Sequence, residues 1–397
     1  MVQEDLINSN VHKDYDLLVL QEPFIDTYGN AKAMRNWRVV YPSSRQADAA
    51  LPRAVILVNH ALDTNCWSQV CIADTRDLVA IQVKGDFGRI LIYDIYNDCN
   101  NNDTITRLGT HLASAPQRAQ SEGDSYSIWC GDFNRHHPLW DEEWNHHLFT
   151  AAALREADKL LMLLADYGME MALPKGIPTL EAMASKNWTR LDNVFCSDNL
   201  GEKVMRCTTD PRLRGPGTDH VPILTTLELS IDRVESVPSY NFWAVEWDKF
   251  RTELGIRLGA LSEPVQLHSE GEYESAVSGL TRVLQETIQA VVPQSRPSPY
   301  SKRWWSKELD VLKKKKNKLS CTSYKYRAML AHPSHEEHRK IRRKYGSAIT
   351  KAKQEHWTAF LEGLSYAGVW TANRYILGDA SDGGKMCIPT LTLRSND

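Results

Sequence analysis

The stretch from Ser127 to Trp140 puts a carboxylate and an amide two residues apart, Asp132 and Asn134, in a Gly-Asp-Phe-Asn run behind a short apolar segment. Residues i and i+2 of an extended chain project to the same side. Both side chains can therefore reach one cleft at the strand's C-terminal end, where open α/β sheets tend to place ligands. One is an acceptor or base; the other donates and accepts without charge. Such a pair suits holding a water or a phosphate oxygen beside a metal ion. Asp and Asn are also ordinary turn residues, and the run alone does not separate the two readings.

Other places along the chain supply partners. Leu20-Gln-Glu-Pro23 ends an apolar run with Glu22, and Pro23 stops the strand there, leaving a carboxylate at a rim where it can bind a hard cation such as Mg²⁺. The run from Ile90 to Asn97 closes on Tyr93 and Tyr96. A phenol at a strand end can hydrogen-bond a phosphate oxygen, although most such tyrosines cap a core. Leu191-Asp-Asn-Val-Phe195 sets Asp192 inside a strand-like run, a costly burial without a partner. Gly215-Pro-Gly-Thr-Asp-His-Val-Pro222 delivers Asp219 and His220 into an apolar strand. An Asp192–His220 pair would answer the burial cost, raise the imidazole pKa and fix the ring so that it can act on a phosphate.

The elements that must position these groups lie within residues 1–230. Strands are expected at 16–21, 54–59, 78–83, 89–96, 127–130, 190–196 and 222–229, and helices at 104–120 and 151–167. In the second helix Leu154, Ala157, Leu161, Leu164 and Ala165 recur at helical spacing. Residues 4–13 read as the tail of a helix. Well-separated strands with few helices point to an α/β fold of two packed sheets covered by helices. After Glu228 the texture changes. Pro/Ser-rich joints at 236–240 and 292–299 flank one amphipathic helix, 273–291, so 231–300 reads as a linker. Beyond it, 304–327 and 335–364 read as two long basic helices, broken at Ala331-His-Pro333 and punctuated by Trp304, Trp305, Trp357 and Trp370.

Composition narrows the class. No run approaches the length of apolar chain that spans a bilayer, and no basic-then-apolar leader opens the sequence, so a membrane or secreted protein is not expected. The eight cysteines are scattered without a Cys-x-x-Cys pair, which argues against zinc and a disulfide framework and for reduced thiols in nucleus or cytosol. The net charge of −3 hides an asymmetry: residues 296–355 hold 18 Lys/Arg against 5 Asp/Glu, an excess of +13, so the remainder sums to −16. A basic segment on an acidic body suits a nucleic-acid partner, and a solvated helix face equally. The run Lys313-Lys-Lys-Lys316 carries the same alternatives, with nuclear localisation as a third.

Taken in order, Gln21-Glu22, Ile95-Tyr96-Asn97, Gly131-Asp132-Phe133-Asn134, Arg190-Leu-Asp192 and Thr218-Asp219-His220 resemble the motifs of the endonuclease/exonuclease/phosphatase superfamily, which includes abasic-site endonucleases and DNase I. More narrowly, Gly-Asp-Phe-Asn-x-His-His-Pro-x-Trp, Lys302-Arg-Trp-Trp-Ser, His356-Trp357 and Ile388-Pro-Thr-Leu391 look like the endonuclease region and following linker of a non-LTR (LINE-type) retrotransposon polyprotein. The resemblance implies a DNase I-like four-layer α-β-β-α sandwich over 1–230 and a helical basic segment over 301–397 that would lead into a reverse transcriptase. It implies a Mg²⁺-dependent endonuclease, Mn²⁺ being a possible substitute, that nicks DNA and leaves a 3′-hydroxyl. Glu22 would be a metal ligand, with Asp219 completing the acidic cluster. Asp132 would orient or deprotonate the attacking water, Asn134 would hold it and the phosphate, and Tyr96 would contact the scissile phosphate. His220, held by Asp192, would bond the non-bridging oxygens, with Thr179 and Thr218 as supporting hydroxyls.

Two departures from the pattern accompany the resemblance. Family members open on a strand ending near an Asn in a Gln-x-Asn setting; here Asn8 and Asn10 fall in a helical reading, so an N-terminally truncated chain is expected. No Tyr-x-Asp-Asp polymerase signature follows. The alternatives are therefore an impaired remnant that binds nucleic acid, including the element's RNA, through its basic helices, and a lipid or inositol phosphatase of the same superfamily, which the basic tail disfavours. Arg212 and Arg214 are candidates for DNA phosphates. One at least of His136 and His137 is expected to pack in its loop, His146 and His147 to be no zinc site, and Trp140 and Trp144 to anchor loops.

Overall fold

The structure, a computed structural model, describes residues 2–8, 11–26, 29–33, 36–43, 51–114, 124–182, 185–233, 240–261, 266, 268–294 and 304–364. The chain runs α1 (Val2–Asn8), β1 (Leu17–Gln21), β2 (Trp37–Val40), β3 (Ala54–Asn59), β4 (Trp67–Val70), β5 (Leu78–Gly85) and β6 (Gly88–Tyr96). It continues through α2 (Asp103–Ser114), β7 (Ser125–Asp132), α3 (Ala151–Asp166), β8 (Met169–Met171), β9 (Leu180–Glu181), β10 (Trp188–Thr189), β11 (Asp192–Ser197), β12 (Val204–Thr209) and β13 (Ile223–Leu227). Helices α4 (Trp247–Gly259), α5 (Glu270–Val291), α6 (Lys307–Lys325) and α7 (Pro333–Glu362) complete it.

The period-two alternation of the strands decides the layers. A six-stranded sheet in the order β4-β5-β6-β7-β11-β8 faces a three-stranded sheet, β1-β3-β2, with the ribbon β12-β13 beside them. In β6, Ile90 and Ile92 point between the sheets, against Ile56 and Val58 of β3 and Ile81 of β5. Tyr93 and Ile95 point the other way, with Trp129, onto Leu108 of α2 and Leu160 and Leu164 of α3. Beyond the smaller sheet, Val55 and Leu57 pack on Trp37, Val39 and Val11, with Leu6 of α1 alongside. Sheet on sheet, flanked by helices, is the architecture the strand spacing implied. Helix α3 is turned slightly from the face read in its sequence: it buries Ala157, Leu160, Leu163 and Leu164, so Leu160 takes the place expected of Leu161. Strand β6 runs parallel to β7, and the connection passes through α2, as a parallel pair requires.

Internal contacts divide the chain into two compact units, residues 1–234 with 300–397, and Glu235–Pro299. The second unit, read from sequence as a linker with one helix, has two. Arg257 of α4 bridges to Glu286 of α5 at 3.0 Å, and Ser269 caps α5 by accepting from the Glu272 N–H.

The described part of the C-terminal segment belongs to the first unit. Helices α6 and α7 form a hairpin around Trp305, Leu309, Tyr345 and Ile349. The hairpin is joined to the sandwich by polar contacts. The Tyr345 hydroxyl donates to Asp5 Oδ1 at 2.5 Å, Lys313 Nζ lies 3.0 Å from the same carboxylate, and the Tyr324 hydroxyl donates to the Pro178 carbonyl at 2.9 Å. Lys316, one of the four consecutive lysines, is wholly buried and donates to the Arg214 carbonyl at 2.6 Å. That run is thus neither a uniform solvated face nor a uniform phosphate stripe. Trp370, Ile388–Leu391 and Lys302 lie outside the described residues.

Candidate active site

The pairing register explains how residues far apart in sequence come together. Tyr96 of β6 is the ladder partner of Asp132 of β7, and Asp132 is the partner of Asp192 of β11. All three lie in line on adjacent strands, on the inter-sheet face shared with Ile92, Ile128 and Val194. Tyr93, offset by an odd number, is buried against the helical layer and edges onto His111. Of the two candidate tyrosines only Tyr96 reaches the cleft.

Three neighbours shape the Asp132 corner. At Gly131 an added Cβ would sit 1.9 Å from the Ile95 carbonyl oxygen, so only glycine lets β7 pass this close to β6. Asn134 adopts φ 51° and its N–H donates to Asp132 Oδ1 at 3.1 Å, closing the turn. The Asn134 amide donates to the Asn97 carbonyl at 2.9 Å, while Asn97 donates through its own amide to the Phe133 carbonyl at 3.0 Å. The turn-residue reading therefore holds for Asp132 and Asn134, and it does not conflict with the site reading. Asn97, fully buried with its Oδ1 lacking a hydrogen-bond partner, is a positioning residue not singled out in the sequence. Its signal was present, directly after Tyr96.

Glu22 arrives from the other sheet. It follows β1 at φ 46°, a conformation that L-residues other than Asn and Asp rarely adopt. Its N–H is tied to the Arg53 carbonyl at 2.8 Å. The preceding Gln21 donates to Asp94 Oδ1 at 2.6 Å, and the Glu22 carboxylate stands near enough to the Tyr96 hydroxyl to raise its pKa. Asp94 and Tyr96 lie on one face of β6, so Gln21 and Glu22 both meet the larger sheet at the cleft. Burial, then Glu22, push the Tyr96 phenol upward in pKa. Burial alone lifts the Asp94 carboxyl well above the carboxylate range. Arg53, half-buried and chelated by Asp77 and Asp98, lies 4.6 Å from the centre of the Tyr96 ring. No motif flags this cation in the sequence.

The Asp192–His220 pair forms as expected. His220 Nδ1 lies 3.0 and 2.9 Å from the two carboxylate oxygens of Asp192. Thr179 Oγ1 accepts from the Asp192 N–H at 3.2 Å, and Thr218 Oγ1 accepts from the His220 N–H at 3.2 Å. Both threonines thus support the pair through its backbone. Burial works against a charged imidazole, but Asp192 outweighs it, with Asp132 and Asp219 adding, and His220 is held up to about 9. Asp132 is pushed up to about 7, by burial first and the Asp192 charge next, against the pull of His220. Near neutral pH the site therefore holds an imidazolium beside a carboxyl group that can take up or release a proton.

Among the described residues, Asp132, Asp192 and His220 each offer a ligand atom within 4.8 Å of one another. Glu22 and Asp219, the metal ligands expected from the motifs, lie outside that set of three. Asp219 Oδ1 is 3.9 Å from His220 Nε2, and Glu22 contributes to the field at Asp132. With His220 Nδ1 committed to Asp192, the donors left at the cleft are chiefly carboxylate oxygens, the set a hard divalent cation prefers. Asp132 is pushed up by burial first and by the Asp192 charge next, and a cation beside it would oppose both. On both counts the residues fit a metal ion.

The remaining expected residues divide, and the two arginines need correction. Arg214 is turned inward, almost fully buried, with Nη1 2.6 Å from Glu181 Oε2, and is not presented to a phosphate backbone. Arg212 is exposed but folds back onto Asp210 at 2.6 Å. His136 is engaged by Asp141 at 2.8 Å. Trp140 is buried as a loop anchor, whereas Trp144 is half exposed and anchors nothing comparable. His146 and His147 are exposed and belong to no ligand cluster among the described residues. Among those residues no helix is long and apolar enough to cross a membrane.

Residues 90–224 match the model of a family described as endonuclease-reverse transcriptase. Among solved structures the chain is similar to the endonuclease domain of TRAS1, a telomere-specific non-LTR retrotransposon, at 19% identity over 57% of this chain and 92% of that one, with a TM-score of 0.44. It is also similar to an AP endonuclease from Archaeoglobus fulgidus, at 17% identity over 57% and 95% with a TM-score of 0.42. A third is the AP endonuclease LMAP from Leishmania major, at 14% identity over 58% and 85% with a TM-score of 0.44. No curated protein sequence matches the chain. The matched segment holds Tyr96, Asp132, Asn134, Asp192 and His220.

Proposed function

We propose that the chain is the endonuclease part of a non-LTR retrotransposon, nicking one DNA strand in a Mg²⁺-dependent reaction that leaves a 3′-hydroxyl. The observation that carries the reading is the line of Tyr96, Asp132 and Asp192 across three adjacent strands, with His220 locked onto the end of it. Glu22 and Asp219 would hold the ion, next to Asp132. Bound there, it would supply Lewis-acid polarisation of a phosphoryl oxygen and neutralise developing charge.

The chain's own residues do the rest. Asp132 accepts a hydrogen bond from the attacking water and takes its proton, a role suited to a carboxyl group poised near neutrality. Asn134, fixed by the Asn97 carbonyl, holds that water against the phosphorus. His220 uses Nδ1 for Asp192, which leaves Nε2–H to donate to a non-bridging oxygen as charge builds. Tyr96 steadies the same phosphate from the opposite strand. The partner is DNA at the cleft. The exposed Lys314, Lys315 and Lys318 of α6 are where the element's RNA would be met.

Plasmid nicking with Mg²⁺ by the chain as it stands tests this, with His220→Ala and Asp132→Asn alongside. Product ends that a DNA polymerase extends report the 3′-hydroxyl. Loss of one fixed donor of this kind costs about 10²–10³ in rate. Nicking no faster than that of His220→Ala would refute the reading.

A further inference from the structure

The loop from Asp210 to His220 joins β12 to β13 and carries Asp219 and His220. On its inner side it is stitched to β9: the Glu181 N–H donates to the Asp219 carbonyl at 3.0 Å, and the Val221 N–H to the Thr179 carbonyl at 2.6 Å. On its outer side it meets the C-terminal hairpin. Arg342 of α7 donates through Nη1 to the Thr218 carbonyl at 3.1 Å, and Arg214 donates through Nε to the same oxygen at 3.3 Å. Lys316 of α6 donates to the Arg214 carbonyl. The other face of Thr218, its hydroxyl, receives the His220 N–H.

Two guanidinium groups converging on one carbonyl is an arrangement that mere docking does not call for. Arg342 and Arg214 repel each other there, an unfavourable effect that Glu181 and Asp219 oppose. The loop also needs holding. Gly217, at φ 92° in Gly215-Pro-Gly-Thr, has open space around it, and a glycine leaves the backbone there more conformational freedom than any other residue would. A hydrogen bond from a charged donor is worth about 1.5–3 kcal/mol, enough to shift a conformational equilibrium roughly 10- to 100-fold.

We propose that Arg342 is a positioning residue of the active site: by holding the Thr218 carbonyl it sets Asp219 and His220, and the C-terminal helical hairpin is thereby a working part of the nuclease. The inference rests on the proposed function for its catalytic readout and on the loop geometry for a second one. The test uses the full chain carrying Arg342→Ala, Arg342→Lys or, as a control on the exposed side of α7, Lys351→Ala. Arg342→Ala is expected to lower kcat 10- to 100-fold with KM within twofold, and Arg342→Lys, which keeps one charged donor, to restore most of it. Amide exchange at His220 and Val221 is expected to quicken at least tenfold in Arg342→Ala, with α6 and α7 exchanging as in the parent. Unchanged exchange at those amides would overturn the proposal, as would a general quickening across the hairpin with a lowered midpoint, which would make Arg342 a docking contact only. If the parent chain does not nick DNA, the proposed function fails, and the exchange measurement still decides the role of Arg342.

Discussion

Asp192→Asn separates the charge of the Asp192–His220 pair from its shape. The amide oxygen can still accept from Nδ1–H, so the ring keeps its place while the countercharge goes. In the parent protein, with His220 at about 9, about 97% of the imidazole is protonated at pH 7.5. With Asp192 neutral, burial acts with less opposition. If the pKa falls only to the ordinary 6.5, about 9% stays charged at pH 7.5, a loss of about tenfold. Asp132 responds in the opposite sense, because a like charge is removed and its pKa drops from about 7. At pH 7.5 that gains little, since roughly three-quarters of Asp132 is already ionised; at pH 6, where only about a tenth is, the gain is several-fold. The imidazole deficit at pH 6 is by then under about twofold.

The variant's rate relative to the parent should therefore be about one-tenth or lower at pH 7.5 and climb to near or above parity at pH 6. The assay is initial nicking rate against pH for both proteins, with the His220 ring titrated by NMR. A ratio that stays constant across that range, or a ring that still titrates near 9 in the variant, would refute the electrostatic account of the pair.

The remaining predictions concern stability as much as catalysis. Raised above its unfolded value, His220 stabilises the fold fully below about pH 6.5 and ceases to as pH climbs through about 9; the melting-temperature gap between the parent and His220→Gln should narrow between those limits. Arg190, fully buried, donates to the carbonyls of Leu173 and Pro174 and to Asn193 Oδ1. Arg190→Ala leaves these unpaired and should cost about 3 kcal/mol or more in chemical denaturation. Asp5→Ala strips the countercharge from Lys316 in its buried site, with an expected cost of about 3–5 kcal/mol; a change under 1 kcal/mol would show that the hairpin does not depend on that pair. Gly131→Ala drives a methyl into the Ile95 carbonyl and should cost about 3 kcal/mol or more, seen as a lowered melting midpoint.

Much of the site was legible because its residues announce themselves by type in the wrong surroundings. Asp192 in the apolar run Leu191 to Phe195 demanded a partner, and His220, delivered by a glycine-rich loop, was the one at hand. The central strands were legible by composition: β3 of the smaller sheet and β6 and β7 of the larger are rich in branched and aromatic residues and buried over most of their length. Strands β2, β4, β8, β9, β10 and β12 went unread. They are short or polar on one face, as in Trp67-Ser-Gln-Val70 with its two exposed middle residues, and their conformation is set by cross-strand partners that a local pattern cannot show. Arg53 was invisible on the same grounds. Its neighbours come from two other segments, Asp77 from just before β5, and Tyr96 and Asp98 from the end of β6 and just after it.

The C-terminal segment shows where charge counting misleads. A basic run implies a solvated or nucleic-acid-facing surface only if its countercharges are distant, and sequence gives no distances across three hundred residues. Asp5, at the opposite end of the chain, takes Lys313 and Tyr345, and lies 3.6 Å from Lys316. Long hydrophobic stems let lysines enter such an interface while their ammonium groups reach a carbonyl or carboxylate. Part of the +13 excess is thereby spent inside the fold, where Arg342 and Lys316 neutralise oxygen-rich edges of the His220 loop and its surroundings. Among the exposed lysines that are left, Lys314, Lys315 and Lys318 stand on α6 next to Lys313 and Lys316. Nucleic-acid affinity carried by them should fall steeply with added salt, whereas the buried contacts of the same helix should respond little, because salt screens exposed charges far more than buried ones.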